Sequence, residues 1–550
     1  MWRLISILSL ALFAASSSGC STTVVGRLAS ATGAVLASHS NDGDGGGFYH
    51  SSLDRVLAAD WPAGSNRSVK GHNISQVPHT YAYHTEGYAA MNEHQVGLAE
   101  STCSGRSFPA TNAPRAGFMN IVQLGQLALE RANSSRAAVR VMGELSETWG
   151  YNDAAESLLV IDPREAFIFQ IMPDPTGNAS LWVAQRVPDD HVGSVTNGLT
   201  VRNVDFSDAV NFMSSGATCK AGGCALRAVA KKYKLWTSGP LDFTKTFAAG
   251  GIGEPSQGAQ VYVSRRMWSA YRRFGGPELP SNISDFIMDA PYPATVPVKK
   301  GSVRLQDVMG VMRDYYEGTE FDMTRGMAAG PFGAPDRFGG NSSGPHGCWE
   351  RTIATHHSIV SLVLEARSWL PDPVGGTLWF APHAAHTSTY APFPCGMNVL
   401  PASYTNGSGW GTPNPGVAAW ANRAVFAAVQ GRFKDAIVQL NTTRAALDNA
   451  SLALQASTDA AYKAGTLAMP AICKLFAANA DAIVAGWWEL HNDLVHTTTR
   501  DAGYPAWWLK SPDVKYSKPL GGGAQKSCVL LSCGSEGGSV SLACVLRCLS

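Results

Sequence analysis

The sequence is short of charge of either sign. Only 15% of its 550 residues are Asp, Glu, Lys or Arg, and 43 basic against 42 acidic residues leave a net charge of +1. It has no basic block and no aromatic-basic patch, so electrostatics give no reason to expect a nucleic acid or another polyanion as partner. No HExxH motif is present, and His383-Ala-Ala-His386 and His356-His357 come without a third ligand, which leaves a zinc-hydrolase reading unsupported. Gly521-Gly-Gly-Ala-Gln-Lys526-Ser lacks the glycine that a phosphate-binding loop sets directly before its lysine. Gly340-Asn341-Ser342-Ser343-Gly344 matches the serine-hydrolase elbow in letters, but no strand is expected to enter it and no helix to leave it. No repeat of fixed period occurs, and no apolar stretch after the amino-terminal one is expected to reach membrane-spanning length.

What is present begins at the amino terminus. Met1-Trp2-Arg3 is a short basic lead and Leu4 to Ala14 an apolar core, with Ser17 and Gly19 small at the −3 and −1 positions of a cut before Cys20. Residues 1–19 therefore read as a signal peptide. The cut leaves a cysteine as first residue, with a thiol of normal pKa about 8.5 beside an α-amine of about 7.7–8.0. The amine can take the thiol proton, so nucleophile and base share one residue. A disulfide at Cys20, a lipid on it, or a cut after Ala15 are the competing readings. Without Cys20, ten cysteines remain, an even number that fits disulfides in an oxidising compartment. Nine sequons, at Asn66, Asn73, Asn133, Asn178, Asn282, Asn341, Asn406, Asn441 and Asn449, suggest a glycoprotein of the secretory pathway, extracellular or lysosomal/vacuolar.

Downstream of Cys20 the pattern predicts strand, turn, strand, with Thr22 to Leu28 running out and Ala34 to His39 running back toward Asp42. Strands are expected at Tyr81–Tyr88, Gln95–Ala99, Ser157–Ile161, Ala166–Ile171, Leu181–Val187 and Thr377–Pro382. Apolar residues at helical spacing predict helices over Ile121–Ala132, from Ser134 or Ser135 to about Trp149, over Val261–Phe274, over Ser358–Trp369, and repeatedly from Val417 to His496.

Several ordered segments carry a resemblance. They are Cys20-Ser-Thr-Thr with Ser40-Asn41-Asp42, Asn92-Glu93-His-Gln-Val-Gly97 with Glu100, Leu129-Glu130-Arg131 and Glu147-Thr-Trp-Gly150-Tyr. Ile161-Asp162-Pro-Arg-Glu165, Trp182-Val-Ala184-Gln-Arg186-Val-Pro188-Asp189-Asp190, Asn197 and Gly330-Pro-Phe-Gly-Ala-Pro335 follow. Glu350-Arg351-Thr-Ile, Arg367-Ser-Trp-Leu-Pro371, Tyr390-Ala-Pro392-Phe393 and Gly503-Tyr-Pro-Ala-Trp507-Trp-Leu509 complete the series. In this set the chain resembles the cysteine dipeptidases of the dipeptidase A and secernin type. These are N-terminal nucleophile hydrolases related to choloylglycine hydrolase and penicillin V acylase.

The resemblance implies an α+β fold, a four-layer αββα sandwich over 20–416 with a helical carboxy-terminal layer over 417–510 and a Gly/Ser/Cys-rich tail over 511–550. It implies cleavage of short peptides through a Cys20 thioester, with no metal or organic cofactor. Asn197 is the implied oxyanion donor, Asp42 the residue orienting the terminal amine, and Arg265 or Arg266 the arginine beside the nucleophile that favours thiolate. His39 and Glu100 are the implied substrate-binding positions. His39 is also a departure, since the relatives carry Arg or Lys before the Asn-x-Asp corner. That departure keeps two alternatives open, a non-peptide acyl-amide hydrolase and a catalytically weak secreted glycoprotein. A homo-oligomer is a possible assembly.

Overall fold

Val24 and Val25 are neighbours on one strand, yet they belong to two different cores. The same alternation separates Ala99 from Leu98, Leu159 from Leu158, and Leu362 from Val363. Successive side chains of a strand point to opposite faces, so strands apolar at every position must be covered on both sides. That requirement fixes the architecture.

In this computed structural model, residues 19–43, 51–108, 117–216, 226–252, 261–285, 292–336, 350–405 and 413–500 are described. A seven-stranded sheet runs in the order Thr295–Pro297, His191–Val195, Ser21–Val25, Val35–Asp42, Ser358–Ala366, Gly376–Ala381, Ala391–Pro394. An eight-stranded sheet runs Phe212–Ser214, Ser180–Arg186, Ala166–Pro173, Ala155–Ile161, Gly97–Cys103, Ala89–Asn92, Tyr83–Thr85, Asp54–Val56. Both are antiparallel. Their inner faces share one core, in which Val24, Val35 and Ala37 meet Ala99, Leu159 and Ile168. The helices Ile121–Arg131 and Ser135–Trp149 cover the outer face of the eight-stranded sheet through Leu124, Leu127, Val139 and Met142. Ser264–Arg273 and Leu305–Met312 cover the other sheet through Met267, Tyr271, Val308 and Met312. The fold is α+β.

Local chemistry sets the helix starts. The Asn120 side-chain oxygen accepts the Gln123 main-chain N–H while the Gln123 side chain accepts the Asn120 N–H, and Ser134 Oγ accepts from the Ala137 N–H. Such caps satisfy orphan amides and contribute about 1 kcal/mol each. The helices Ala418–Gln430, Phe433–Lys463 and Met469–Arg500 pack onto the central core through Val425, Val429, Phe433, Leu440, Phe476, Ile483 and Trp487.

Three expectations are corrected. Ser358–Ala366 is a strand in the middle of the seven-stranded sheet, not a helix. A run buried on both faces has no alternation to distinguish it from a buried helix, and the β-branched Ile359, Val360 and Val363 decide for the strand. Met469–His496 is long and apolar enough, at a mean hydropathy of 1.2, to cross a membrane by length and composition, although no apolar run of that length was expected. Lys474, Asp481, Glu489 and Asp493 interrupt the run in sequence, but an 18-residue stretch holding no more than two charged residues keeps that average. Cys103, Cys395 and Cys473 carry free thiols, where an even count had suggested disulfides. Cys103 and Cys395 are buried and donate to the main-chain oxygens of Ser101 and Asp372, behaving as small apolar residues. The other seven cysteines beyond Cys20, together with Asn341 and Asn406, lie outside the described residues, as do residues 1–18. The seven described sequon asparagines are all exposed.

Candidate active site

Cys20 stands one residue before the Ser21–Val25 strand, which is hydrogen-bonded on both sides. Thr22 pairs with Val195 on one flank and Ser21 with Ser40 on the other. Continuing those registers sets Cys20 level with Asn197 and Asn41. The two neighbouring strands therefore bring Asn197 and Asp42 to Cys20. Cys20 itself is 1% exposed.

Asn197 adopts a left-handed backbone at φ 69°, a conformation asparagine tolerates better than most residues. Its amide donates to Ser101 Oγ at 3.0 Å and its side-chain nitrogen to the Thr102 carbonyl at 2.6 Å. Its side-chain oxygen accepts from Arg266 Nη2 at 2.7 Å. With one proton of Nδ2 committed to Thr102, the second is left to serve as a donor.

The two adjacent arginines part company. Arg266 is fully buried and donates to the Cys20 carbonyl and Ser21 Oγ, both at 3.0 Å, and to the Thr196 carbonyl at 2.9 Å. Burial and the charge of Arg351 lower its pKa to about 10, which still leaves it charged at neutral pH. Arg265 turns away to a two-pronged pair with Glu350 at 3.0 and 3.1 Å and lies over the Phe321 ring. The structure brings Arg266, and not Arg265, beside Cys20.

Asp42 is held by three donors. Ser358 Oγ donates to it at 2.6 Å, Ser40 Oγ at 2.9 Å, and Arg351 Nη2 forms an ion pair with it. Both side chains of that pair are 2% exposed. Arg351 also donates to the Gly19 carbonyl, to Ser21 Oγ at 3.2 Å and to the Thr352 carbonyl at 3.1 Å. A Cβ at position 19 would run into Tyr262 Oη, so the residue before Cys20 is confined to glycine unless Tyr262 moves. Arg351 was visible in sequence only inside Glu350-Arg351-Thr-Ile, with nothing to mark it as the partner of a corner 309 residues away.

On the other side of Cys20 the lining is acidic. His39 Nδ1 lies 2.7 Å from the Glu100 carbonyl oxygen and Nε2 3.5 Å from Glu86 Oε1. Burial alone would lower the imidazole pKa, but the Glu86 carboxylate and then Glu100 outweigh it, and the net shift is upward. Glu100 accepts from Thr102 Oγ1 at 2.8 Å through one oxygen, while the other accepts nothing. Burial, followed by the charge of Glu100, pushes Glu156 well above the usual carboxylate range. Glu86 and Glu156 had no signal in sequence. Burial, Glu100 and Asp42 push the Cys20 thiol well above its ordinary value, so in this form it is a thiol despite the arginines.

Among the described residues, the only side chains grouped with metal-ligand types and spacing are Cys20, His39 and Glu100. Asp336, whose side chain is 3% exposed, the half-buried His356 and the buried His386 form a hydrogen-bonded network in which Gln430 donates to Asp336 at 2.6 Å.

The chain was compared with known proteins. A probable dipeptidase of Salmonella dublin is 24% identical over 396 residues, covering 69% of this chain and 81% of that protein. A probable dipeptidase of Latilactobacillus sakei is 24% identical over 397 residues, covering 66% and 73%. A dipeptidase of Bifidobacterium longum is 22% identical over 448 residues, covering 76% and 78%. The sequence profile of peptidase family C69 matches residues 19–445, which begins one residue before the cysteine at the centre of the site. The chain belongs to peptidase family C69.

Proposed function

We propose that this protein is a cysteine-type dipeptidase that hydrolyses short peptides through an acyl-enzyme on Cys20, and that its layers are the αββα sandwich of the N-terminal nucleophile hydrolases. The observation that carries the proposal is the convergence at the start of an interior strand. Cys20, Asn197 and Asp42 arrive on three adjacent strands, and Arg266 bridges Cys20 to Asn197. The dipeptidase relatives support the substrate class.

Removal of the residues before Cys20 turns its amide into an α-amine, and frees the Arg351 guanidinium from the Gly19 carbonyl. Cys20 Sγ attacks the scissile carbonyl carbon while its proton passes to that amine. The oxyanion forms beside Asn197 Nδ2, whose position is locked by Thr102 and Arg266. Collapse breaks the C–N bond, the protonated amine delivers its proton to the leaving group, and a thioester remains. Water then attacks the thioester, losing its proton to the same amine, and the free acid leaves with Cys20 restored. Asp42, fixed by Arg351, Ser40 and Ser358, orients the amine. Glu100, with one unpartnered carboxylate oxygen, and His39 form the substrate-binding side, where a buried negative group suits the free ammonium of a peptide. Exposed sequons support passage through the secretory pathway, where the leader would be removed.

The test pairs amino-terminal mass spectrometry of the purified protein with dipeptide hydrolysis by wild type and Cys20→Ala. A chain starting at Cys20 and a rate loss of about 10³-fold or more in the variant are expected. An intact leader on active protein, or activity untouched by Cys20→Ala, would overturn the mechanism. Equal turnover of substrates lacking a free amine would replace the peptide reading with a general amidase.

A further inference from the structure

Three different donor types meet on the acidic side of Cys20. The Cys20 thiol, the His39 ring and the Glu100 carboxylate each offer one donor atom, and these lie within 4.8 Å of one another. All three residues are buried, each about 1% exposed. Their hydrogen bonds leave the right atoms over. A carbonyl oxygen only accepts, so the 2.7 Å contact to the Glu100 main chain puts a proton on His39 Nδ1. In the neutral ring the lone pair is then on Nε2, which has no hydrogen-bond partner. Glu100 Oε1 is taken by Thr102 Oγ1, and Oε2 has no hydrogen-bond partner either.

A ring nitrogen held by a main-chain carbonyl, with the other making no hydrogen bond and lying 3.5 Å from Glu86 Oε1, is the arrangement that orients metal-binding histidines. Thiolate, imidazole and carboxylate together are a donor set for zinc. Buried Glu86, 3.5 Å from His39 Nε2, and buried Glu156, which interacts with Glu100, add further carboxyl groups beside the ligands. We infer that Cys20, His39 and Glu100 bind one thiophilic divalent cation, and that the bound ion blocks the nucleophile. Tetrahedral zinc with ligand bonds of about 2.0–2.3 Å sets its donors about 3.5 Å apart. The present 4.8 Å limit is thus within about an ångström of closing. As the Zn–S bond forms, the thiol proton leaves to solvent, and the fourth position is left to water. The Cys20 sulfur is then no longer free to attack a carbonyl. The inference goes beyond the hydrolytic reading, because the donor geometry is independent of substrate.

The test uses the purified full-length protein with cobalt(II) and zinc as probes. Cobalt should bind in one equivalent with the intense absorption of a thiolate–cobalt bond, and zinc should displace it. Cys20→Ser should abolish that band, and Cys103→Ser should retain it. His39→Gln and Glu100→Gln should each weaken zinc binding about tenfold or more. Circular dichroism of each variant without metal guards against simple misfolding. A band that survives in Cys20→Ser, or zinc affinity unchanged in both His39→Gln and Glu100→Gln, would overturn the site. Because absorption and stoichiometry are read without substrate, failure of the dipeptidase reading leaves this result intact. If hydrolysis is observed, zinc should inhibit it in wild type and a chelator should restore the rate.

Discussion

Replacing Arg351 is the sharpest perturbation of the site. Its guanidinium pairs with Asp42 where both side chains are 2% exposed, and it also donates to Ser21 Oγ and the Thr352 carbonyl. Methionine there fills much of the volume but leaves Asp42 as a buried charge with only Ser40 and Ser358 as donors. Removing one partner of a buried pair costs about 3–5 kcal/mol. Lysine keeps the charge but has one nitrogen for acceptors that two guanidinium nitrogens now reach. Its cost should be smaller, about 1.5–3 kcal/mol, the value of a hydrogen bond to a charged group. Urea unfolding of wild type, Arg351→Met, Asp42→Asn and the double variant, at unchanged m, measures all of this. Because each single change strands the other partner, the double variant should cost less than the sum by about 2–3 kcal/mol. If Arg351→Met costs less than about 1 kcal/mol, or the two changes add within about 0.5 kcal/mol, the claim that this pair holds the corner is wrong.

Other consequences follow from neighbouring groups. Asn197→Ala should lower kcat about 10²–10³-fold with KM little changed, as loss of an oxyanion donor does, and steady-state kinetics on a dipeptide would show it. Arg266→Lys should fall in the same direction, since one nitrogen cannot hold Cys20, Thr196 and Asn197 together. Glu156 has a folded-state pKa raised by burial and Glu100, so its contribution is fully present below about pH 4.3 and is lost as pH rises through the folded value. Glu156→Gln should therefore gain stability over wild type on the alkaline side, a gain absent in acid, as denaturation at two pH values will register. Asp336 has the opposite sign. Burial opposes its charge, but His386 and then His356 overcome that and hold its carboxyl well below the usual range. Its contribution is present above about pH 3.9 and is lost as pH falls toward the folded value. Asp336→Asn should cost about 3–5 kcal/mol at neutral pH and shed part of the acid limb of the stability profile.

The strands around Cys20 were legible because they carry turn chemistry and apolar runs close in sequence. Cys20, Ala31-Thr32-Gly33 and Asp42 lie within 23 residues, so local signals suffice to bring the corner back to the cysteine. Asn197 was reached through the ordered segments, and the pair Arg265 and Arg266 was narrowed only by the geometry, because sequence cannot say which of two adjacent helical residues faces inward. Arg351, Glu86 and Glu156 were not legible. A lone charged residue in sequence reads as solvated surface, and only the closing of the two sheets buries these three. The Ser358–Ala366 strand failed for a related reason. Its edges are taken by Val35–Asp42 and Gly376–Ala381 and its faces by two separate cores, contacts that no window of local sequence contains.

The interior position of the Ser21–Val25 strand has a consequence for how this enzyme loses activity. A nucleophile on a loop can fray while the rest of the molecule stays intact. Here the backbone behind Cys20 is stitched to neighbours on both edges and sandwiched between two cores, so it has no cheap way to open alone. Its amides should exchange with solvent on the same slow clock as the deepest strands. Heat inactivation and loss of the cooperative fold should then be one event, leaving no temperature window in which the protein is folded but the Ser21–Val25 strand has come loose.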